Sequence, residues 1–480
     1  MRLGTKHQNQ FQIVFADFSG GLNTSESMDG IAENQLAIAA NVEVDQTSGK
    51  LKTVAGTRIL RKVEALWAAM YDDINKVLLL VKEDKKVYAL DLVNDILSDE
   101  LGALSGDLYP ITTSWEDGLL IASGGKLQYY NGETLKTITT SPMATSVYVR
   151  AGRVLVTDEA NVRYSGVGDE ENWEEDTNDD SSSKFVEAGY KDGGKLLAMV
   201  NLSSDVLMIK NNRRVYRLSG EFPNWSMSEV SRNVEVSGRL SICAVSDSVF
   251  ILGRNGVQNI VTTNAYGDMK PQMVSTLITR EIQNLPETTM LRYIPSLNQI
   301  WAISGDIALV FDLVVQGWYK RKFNSPVIDV IPVGNEVLII KKDAVTKLDG
   351  NSFYDDDQPL FWKFQCRRLI SHYDYFLKRT SVSFMPHNRF LSTGQVRVGA
   401  VIVNLPNFKT MSERRFAFSK GTPIYKNPEP IYGSPLPIYS RPTIIAESRN
   451  VFRSKFLDIM GYGITGGITL NSITLDLVEV

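Results

Sequence analysis

Histidine and cysteine are nearly missing from this chain, with three and two among 480 residues. His7, His372 and His387 are too few and too scattered for a multi-histidine metal site, and no His-Glu-x-x-His stretch occurs. Cys243 and Cys366 cannot build a disulfide framework, which fits synthesis in a reducing compartment. Cys243 falls in LSICAVSDSVFIL, a strand-like run in which its thiol is expected to be buried. No uncharged apolar run reaches the roughly 18 residues that a membrane-crossing helix needs, so no membrane span is expected. The opening MRLGTKHQNQFQIVF has no apolar core ahead of its polar residues, and no secretory leader is expected.

Catalytic signatures are equally scarce. Gly193-Gly194-Lys195 lacks the upstream glycine and the Ser or Thr of a phosphate-binding loop. There is no Gly-x-Ser-x-Gly elbow. Repeated Ser-x-Asp-x-Gly-x-x-Trp boxes, a WD signature and in-phase double glycines are all missing, as are zinc-finger and RNA-recognition signatures. Paired carboxylates could come from many of the 55 acidic residues, so glycoside hydrolysis stays open on counting alone. The expectation is a chain without cofactor and without catalysis.

What the sequence does have is repetition. Seven strand–turn–strand runs recur at 75–92, 118–138, 152–165, 205–220, 247–263, 298–320 and 335–349. KVLLLVKEDKKVYALDL and DVLMIKNNRRVYRLSG show the pattern: an apolar strand, a polar turn, then an alternating strand. They begin roughly 35 to 55 residues apart, the spacing of propeller blades. The fold class expected is all-β, a seven-bladed β-propeller with an additional β-rich platform domain. The domains expected are an N-terminal platform segment at 1–61, the propeller at 62–358 and a C-terminal β platform at 359–480.

Within the first segment a short helix is expected around 33–40. A hairpin of 42–44 with 50–54 should follow, turned at Thr47-Ser48-Gly49. One further short helix is expected at 278–285. The acidic stretch GDEENWEEDTNDDSSS, 168–183, interrupts the third run; like charges this dense should leave it as an exposed loop. It is either a solvated inter-blade connection or a site for a bound ion or an electrostatic lining. It lacks the ordered ligand alternation of an EF-hand.

Charge is polarised. Residues 360–480 hold 16 Lys+Arg against seven Asp+Glu, about +9, which leaves the remainder at about −13. A basic domain on an acidic body points to a polyanion or an acidic neighbour, or is simply a solvated β-surface. Basic and aromatic side chains interleave there: Arg367, Arg368, His372, Tyr373, Tyr375, Lys378 and Arg379, then Arg414, Arg415 and Phe416. This suits a surface facing nucleic acid, through backbone charge alone, and equally the wet face of ordinary strands. The loop 422–442 repeats Pro-Ile-Tyr three times at seven-residue spacing. Proline removes donors, so this loop is extended and cannot be a central strand. It packs across a neighbour, or it projects Tyr425, Tyr432 and Tyr439 towards a partner or a passing ligand.

The run DFSGGLNTSES, followed by ENQLAIAANVEVDQTSGKLKTVAGTRI, resembles the opening of tail nozzle proteins of short-tailed bacteriophages. The family is also called tail tubular protein B or packaged-DNA stabilisation protein. Phe18, Gly20, Gly21, Leu22, Asn23, Asn41, Val42, Gly49, Gly56, Thr57 and Arg58 carry the match. Thr53 or Val54 stands where the family has the first arginine of its closing stretch. The match covers the first 60 residues well; GRVLVTDEANVRYSGVGDEENW and ILGRNGVQNI resemble its propeller more loosely.

The resemblance implies a β-propeller on a β-rich platform, six copies of which form a ring below portal and adaptor. Such a ring extends the DNA channel, retains the packaged genome and opens at ejection. The implied partners are further copies of the chain, a tail adaptor, fibre, needle or tip proteins, and double-stranded DNA held without regard to sequence. The implied location is the virion tail, assembled in host cytoplasm. The competing expectation is a receptor-binding or polysaccharide-degrading propeller at the tail tip, which would need paired carboxylates in an aromatic-lined cleft.

Overall fold

The computed structural model describes residues 10–176, 178–262, 269–387, 393–405, 443–449 and 451–479. The fold is all-β with a β-propeller arrangement. Among the described residues the one α-helix is Thr279–Gln283, entered through the 3-10 turn Thr276–Ile278, within the stretch expected to be helical. The chain divides into two compact units. One is Ile59–Ala308 with Ser325–Lys347; the other is Met1–Arg58, Leu309–Asn324 and Leu348–Val480.

The propeller unit is built from antiparallel meanders. The first blade is Trp67–Asp72, Val77–Val81, Lys86–Asp91 and Ile96–Leu97, with Gly102–Ala103 also pairing on Lys86–Asp91. The second is Ile111–Trp115, Gly118–Ala122, Gln128–Tyr130 and Leu135–Thr137. The third is Val147–Arg150, Arg153–Asp158, Asn161–Tyr164 and Lys184–Glu187. The fourth is Leu196–Leu202, Asp205–Lys210, Val215–Ser219 and Ser226–Ser231; the fifth is Ile242–Val245, Ser248–Gly253, Gly256–Thr262 and Met269–Met273. The sixth is Val327–Val333, Glu336–Lys341 and Ala344–Asp349, completed by Gly56–Lys62 from far upstream.

The propeller therefore has six blades rather than seven. The run 298–320 is not a blade of its own. Met290–Ile294 and Gln299–Ser304 form an antiparallel pair that begins a ten-stranded sheet, and Leu309–Asn324 belongs to the other unit. Periodic hydrophobicity marks a strand; it does not say which distant strand will be its neighbour.

The second strand of each blade explains the strongest sequence signal. VLLLV at Val77–Val81 and GLLIA at Gly118–Ala122 are buried on both faces, because each blade is covered by one neighbour on either side. Such strands read as continuous apolar runs. Between the first two blades lie Trp67, Leu79, Leu119 and Ile121; between the first and the last lie Leu78, Leu80, Leu338 and Ile340.

In the other unit the hairpin Val42–Val44 with Leu51–Thr53 forms as expected. The expected helix at 33–40 is instead the strand Gln35–Ala40, paired antiparallel with Trp362–Cys366 and meeting Lys320 at Ala40. QLAIAA is rich in helix formers, but a central sheet position with partners on both sides overrides local preference. The longest strand, Leu369–Pro386, pairs with Ile468–Glu479, Ile444–Ser448 and Phe452–Leu457.

Candidate functional site

The N-terminal motif residues are fasteners. Gly21 has φ +64°, and a Cβ there would sit 2.8 Å from the Trp318 backbone nitrogen. At Gly56 a Cβ would meet the Tyr354 carbonyl oxygen at 2.3 Å. Both obstacles are backbone, so only glycine fits without moving the chain. The Asn23 carboxamide accepts from Ser25 N (3.0 Å) and donates to Gln35 Oε1 (2.9 Å). Asn41, itself at φ 53°, donates to Phe361 O at 2.7 Å and accepts from Lys322 N at 2.7 Å. The Thr57 hydroxyl bonds the Asp355 carboxylate at 2.7 Å and receives Asp356 N at 2.8 Å. Phe18 and Leu22 are buried. Gly20 N bonds Asn34 O, Gly49 N bonds Asp45 O, and Arg58 is exposed.

The C-terminal cations divide into two places. Arg368 grips Asp458 through two bonds of 2.7 and 3.1 Å, and Arg367 donates to Asp29 O at 3.1 Å. Arg379 meets Asp476 at 2.6 Å and Glu447 at 3.5 Å, while Lys378 reaches Gln10 Oε1 at 3.4 Å. Arg368 and Arg379 are thus occupied by carboxylates of their own unit. Arg414, Arg415, Tyr425, Tyr432, Tyr439 and the loop 422–442 lie outside the described residues.

The acidic segment 168–183 is a mostly exposed loop, as expected, and it is anchored at Trp173, Ser182 and Ser183, which are buried. Trp173 is buried in the core shared by the second and third blades, and its Nε1 donates to Glu170 O at 2.7 Å. Trp115 Nε1 donates to the Glu170 carboxylate at 3.0 Å. Lys136 pairs with Glu171, Arg163 with Glu175, and Lys184 with Asp180. Arg153, fully buried, donates to the carbonyls of Ser165, Ser182 and Asp180, with its cation 4.2 Å above the Phe222 ring. The charges are spread over separate partners. Among the described residues no three His, Cys, Asp or Glu side chains converge on one point.

The most chemically distinctive place is a cavity of about 390 Å³ at the centre of the propeller unit. The leading strands of the blades line it, bringing Trp67, Met70, Tyr109, Met199, Arg239 and Asp329 together. Arg292 donates to Asp329 through two bonds, 2.7 and 3.0 Å. Tyr109 donates its hydroxyl to the same carboxylate at 2.7 Å, and Val330 N adds a bond of 2.7 Å. Burial works against the Arg292 cation, yet the Asp329 charge and hydrogen bonds outweigh it and raise its pKa. Burial, then the Asp329 charge, lifts the Tyr109 phenol well above its usual value. Half-buried Cys243 lies in the adjoining strand, and burial pushes its thiol up to about 12.

Arg239 is different. It donates to Thr145 O at 2.8 Å and to Tyr109 O, linking the approaches to three blades, and burial lowers its pKa to about 10. None of Tyr109, Arg239, Arg292 and Asp329 belongs to a motif of the sequence. For Arg292 and Asp329 the signal is a lone charge inside an apolar strand, in MLRYI and VIDVIPV; Tyr109 and Arg239 lie between strands and carry no such signal. No protein-family model and no curated protein matches the chain.

Proposed function

We propose that this chain is a tail nozzle subunit of a short-tailed bacteriophage, a structural virion protein. Six copies would form a ring below portal and adaptor, extend the DNA channel, retain the packaged genome and let it leave. The carrying observation is the N-terminal segment. Gly21, Asn41, Gly56 and Thr57, which bear the resemblance, each hold a backbone approach or a hydrogen bond that fastens this segment to later parts of the chain, and Asn23 ties its own loop to Gln35. Similarity at positions that all have a structural task is worth more than similarity in composition. The basic C-terminal part, about +9, supports contact with DNA backbone charge irrespective of sequence. Fibre, needle or tip proteins are the further partners in this reading, and the virion tail is the location.

Electron microscopy of purified particles, with sedimentation of the isolated protein, tests this directly. The expected result is six copies around the tail axis. A protein missing from particles and monomeric in solution would overturn the reading.

A further inference from the structure

The central cavity carries more positive charge than its own side chains neutralise. Arg292 and Asp329 cancel, and the remaining acceptor capacity of Asp329 is taken by Tyr109 and Val330 N. Arg239 has only carbonyl oxygens, of Thr145 and Tyr109, as partners. Among the described residues no carboxylate pairs with it, and the other N–H groups of its fork have no protein acceptor. A guanidinium has five donors and no acceptor, and Arg239 is half-buried, so these groups are open to an anion that enters the cavity.

The dimensions narrow the class. A cavity of about 390 Å³ falls within the roughly 300–1,000 Å³ typical of small-molecule sites and is far larger than a bare ion. Apolar side chains such as Trp67, Met70 and Met199 supply wall surface for a carbon skeleton, and Thr112 and Ser146 add hydroxyls. One excess positive charge matches a monoanion better than a phosphate ester carrying two.

We propose that the propeller's central cavity binds a small organic monocarboxylate, with the Arg239 guanidinium as the group that holds its carboxylate. The site is independent of ring assembly and asks nothing of the channel. Arg292 and Asp329 act as the rigid neutral wall beside it, and Arg239 keeps its two inter-blade bonds while its free edge faces the ligand.

Calorimetric titration of the full chain with acetate, benzoate and glucuronate tests this, with glucose and glucose 6-phosphate as uncharged and dianionic controls. At least one monocarboxylate should bind at one site per chain and raise the melting temperature, and glucose should do neither. Arg239→Gln should weaken that binding by about tenfold or more. Since Arg239 also joins blades, Thr112→Phe is the second variant: it fills the cavity, leaves the guanidinium in place and should abolish binding. Binding of none of the three carboxylates would overturn the proposal. So would tighter binding of glucose 6-phosphate, or binding that survives both substitutions.

Discussion

Lys210 Nζ lies 2.5 Å from Asp192 Oδ1, with the two side chains 0% and 4% exposed. The ammonium also donates to Ala188 O at 2.6 Å, and the carboxylate accepts from Gly194 N at 3.0 Å and Tyr216 OH at 2.9 Å. This network clamps the connection between the third and fourth blades. Removing one partner of a buried pair leaves the other charge stranded, at a cost of about 3–5 kcal/mol. Asp192→Ala should therefore lower the denaturation midpoint sharply. The double change Lys210→Met with Asp192→Leu should recover much of the loss, because no charge remains buried. Equal losses in the single and double variants would show that the charges are not what matters there.

Acid should act through a small set of carboxylates. Burial would raise the Asp192 pKa, but the Lys210, Gly194, Tyr216 and Asn212 hydrogen bonds prevail and hold it down to about 2. Glu336 is also held at about 2, by hydrogen bonds from Lys347 and then Lys76, against its partial burial. Both groups are depressed on folding. Their contribution is complete above the ordinary carboxylate range of about 4 and is lost as pH falls from there through about 2. Urea midpoints measured from pH 7 down to pH 2 should stay level to about pH 4 and then fall. Replacing Glu336 with Gln should flatten part of that acid limb; an unchanged limb would refute its share.

Gly56 has no room for a methyl group. Its Cβ would lie 2.3 Å from one backbone oxygen, Tyr354 O, and 2.7 Å from another, Ser352 O. Gly56→Ala should destabilise the unit that holds the N-terminal segment by about 1–3 kcal/mol. Gly350→Ala, with open space around it, is the matched control for a glycine change nearby. Denaturant unfolding of the two variants side by side checks this, and equal stability would contradict the geometry.

Trp173 ties an acidic loop into a hydrophobic core, so Trp173→Ala should cost about 3–5 kcal/mol, as other large aromatic truncations do. Its neighbour Glu174 is exposed, and Glu174→Gln should be nearly silent. Limited proteolysis would report the difference, with cleavage between 168 and 183 accelerated only in the tryptophan variant.

Local pattern carried much of the fold. The doubly covered strands such as VLLLV announce themselves through continuous hydrophobicity, and the 42–53 hairpin through its turn residues. What stayed hidden was long-range pairing. Gln35–Ala40 has helix-forming residues and becomes a strand because Trp362–Cys366 lies beside it. Met290–Ile294 and Gln299–Ser304 look like the start of a blade and instead open a larger sheet. The central charges escaped for a related reason. Arg239, Arg292 and Asp329 are separated by dozens of residues, and only closure of the propeller brings them to one cavity.

The sixth blade is completed by Gly56–Lys62, and the second unit joins Met1–Arg58 to Leu348–Val480. On the ribosome, Gly56–Lys62 must therefore wait for residues 327–349, and the residues before 58 for those after 348. At about 5–20 residues per second the intervening chain takes tens of seconds to appear. Through that interval QLAIAA and its neighbours have no sheet to join, and are exposed to pairing with the wrong chain. Blades one to five can form in order as they leave the tunnel, while everything that depends on residues 10–62 forms late.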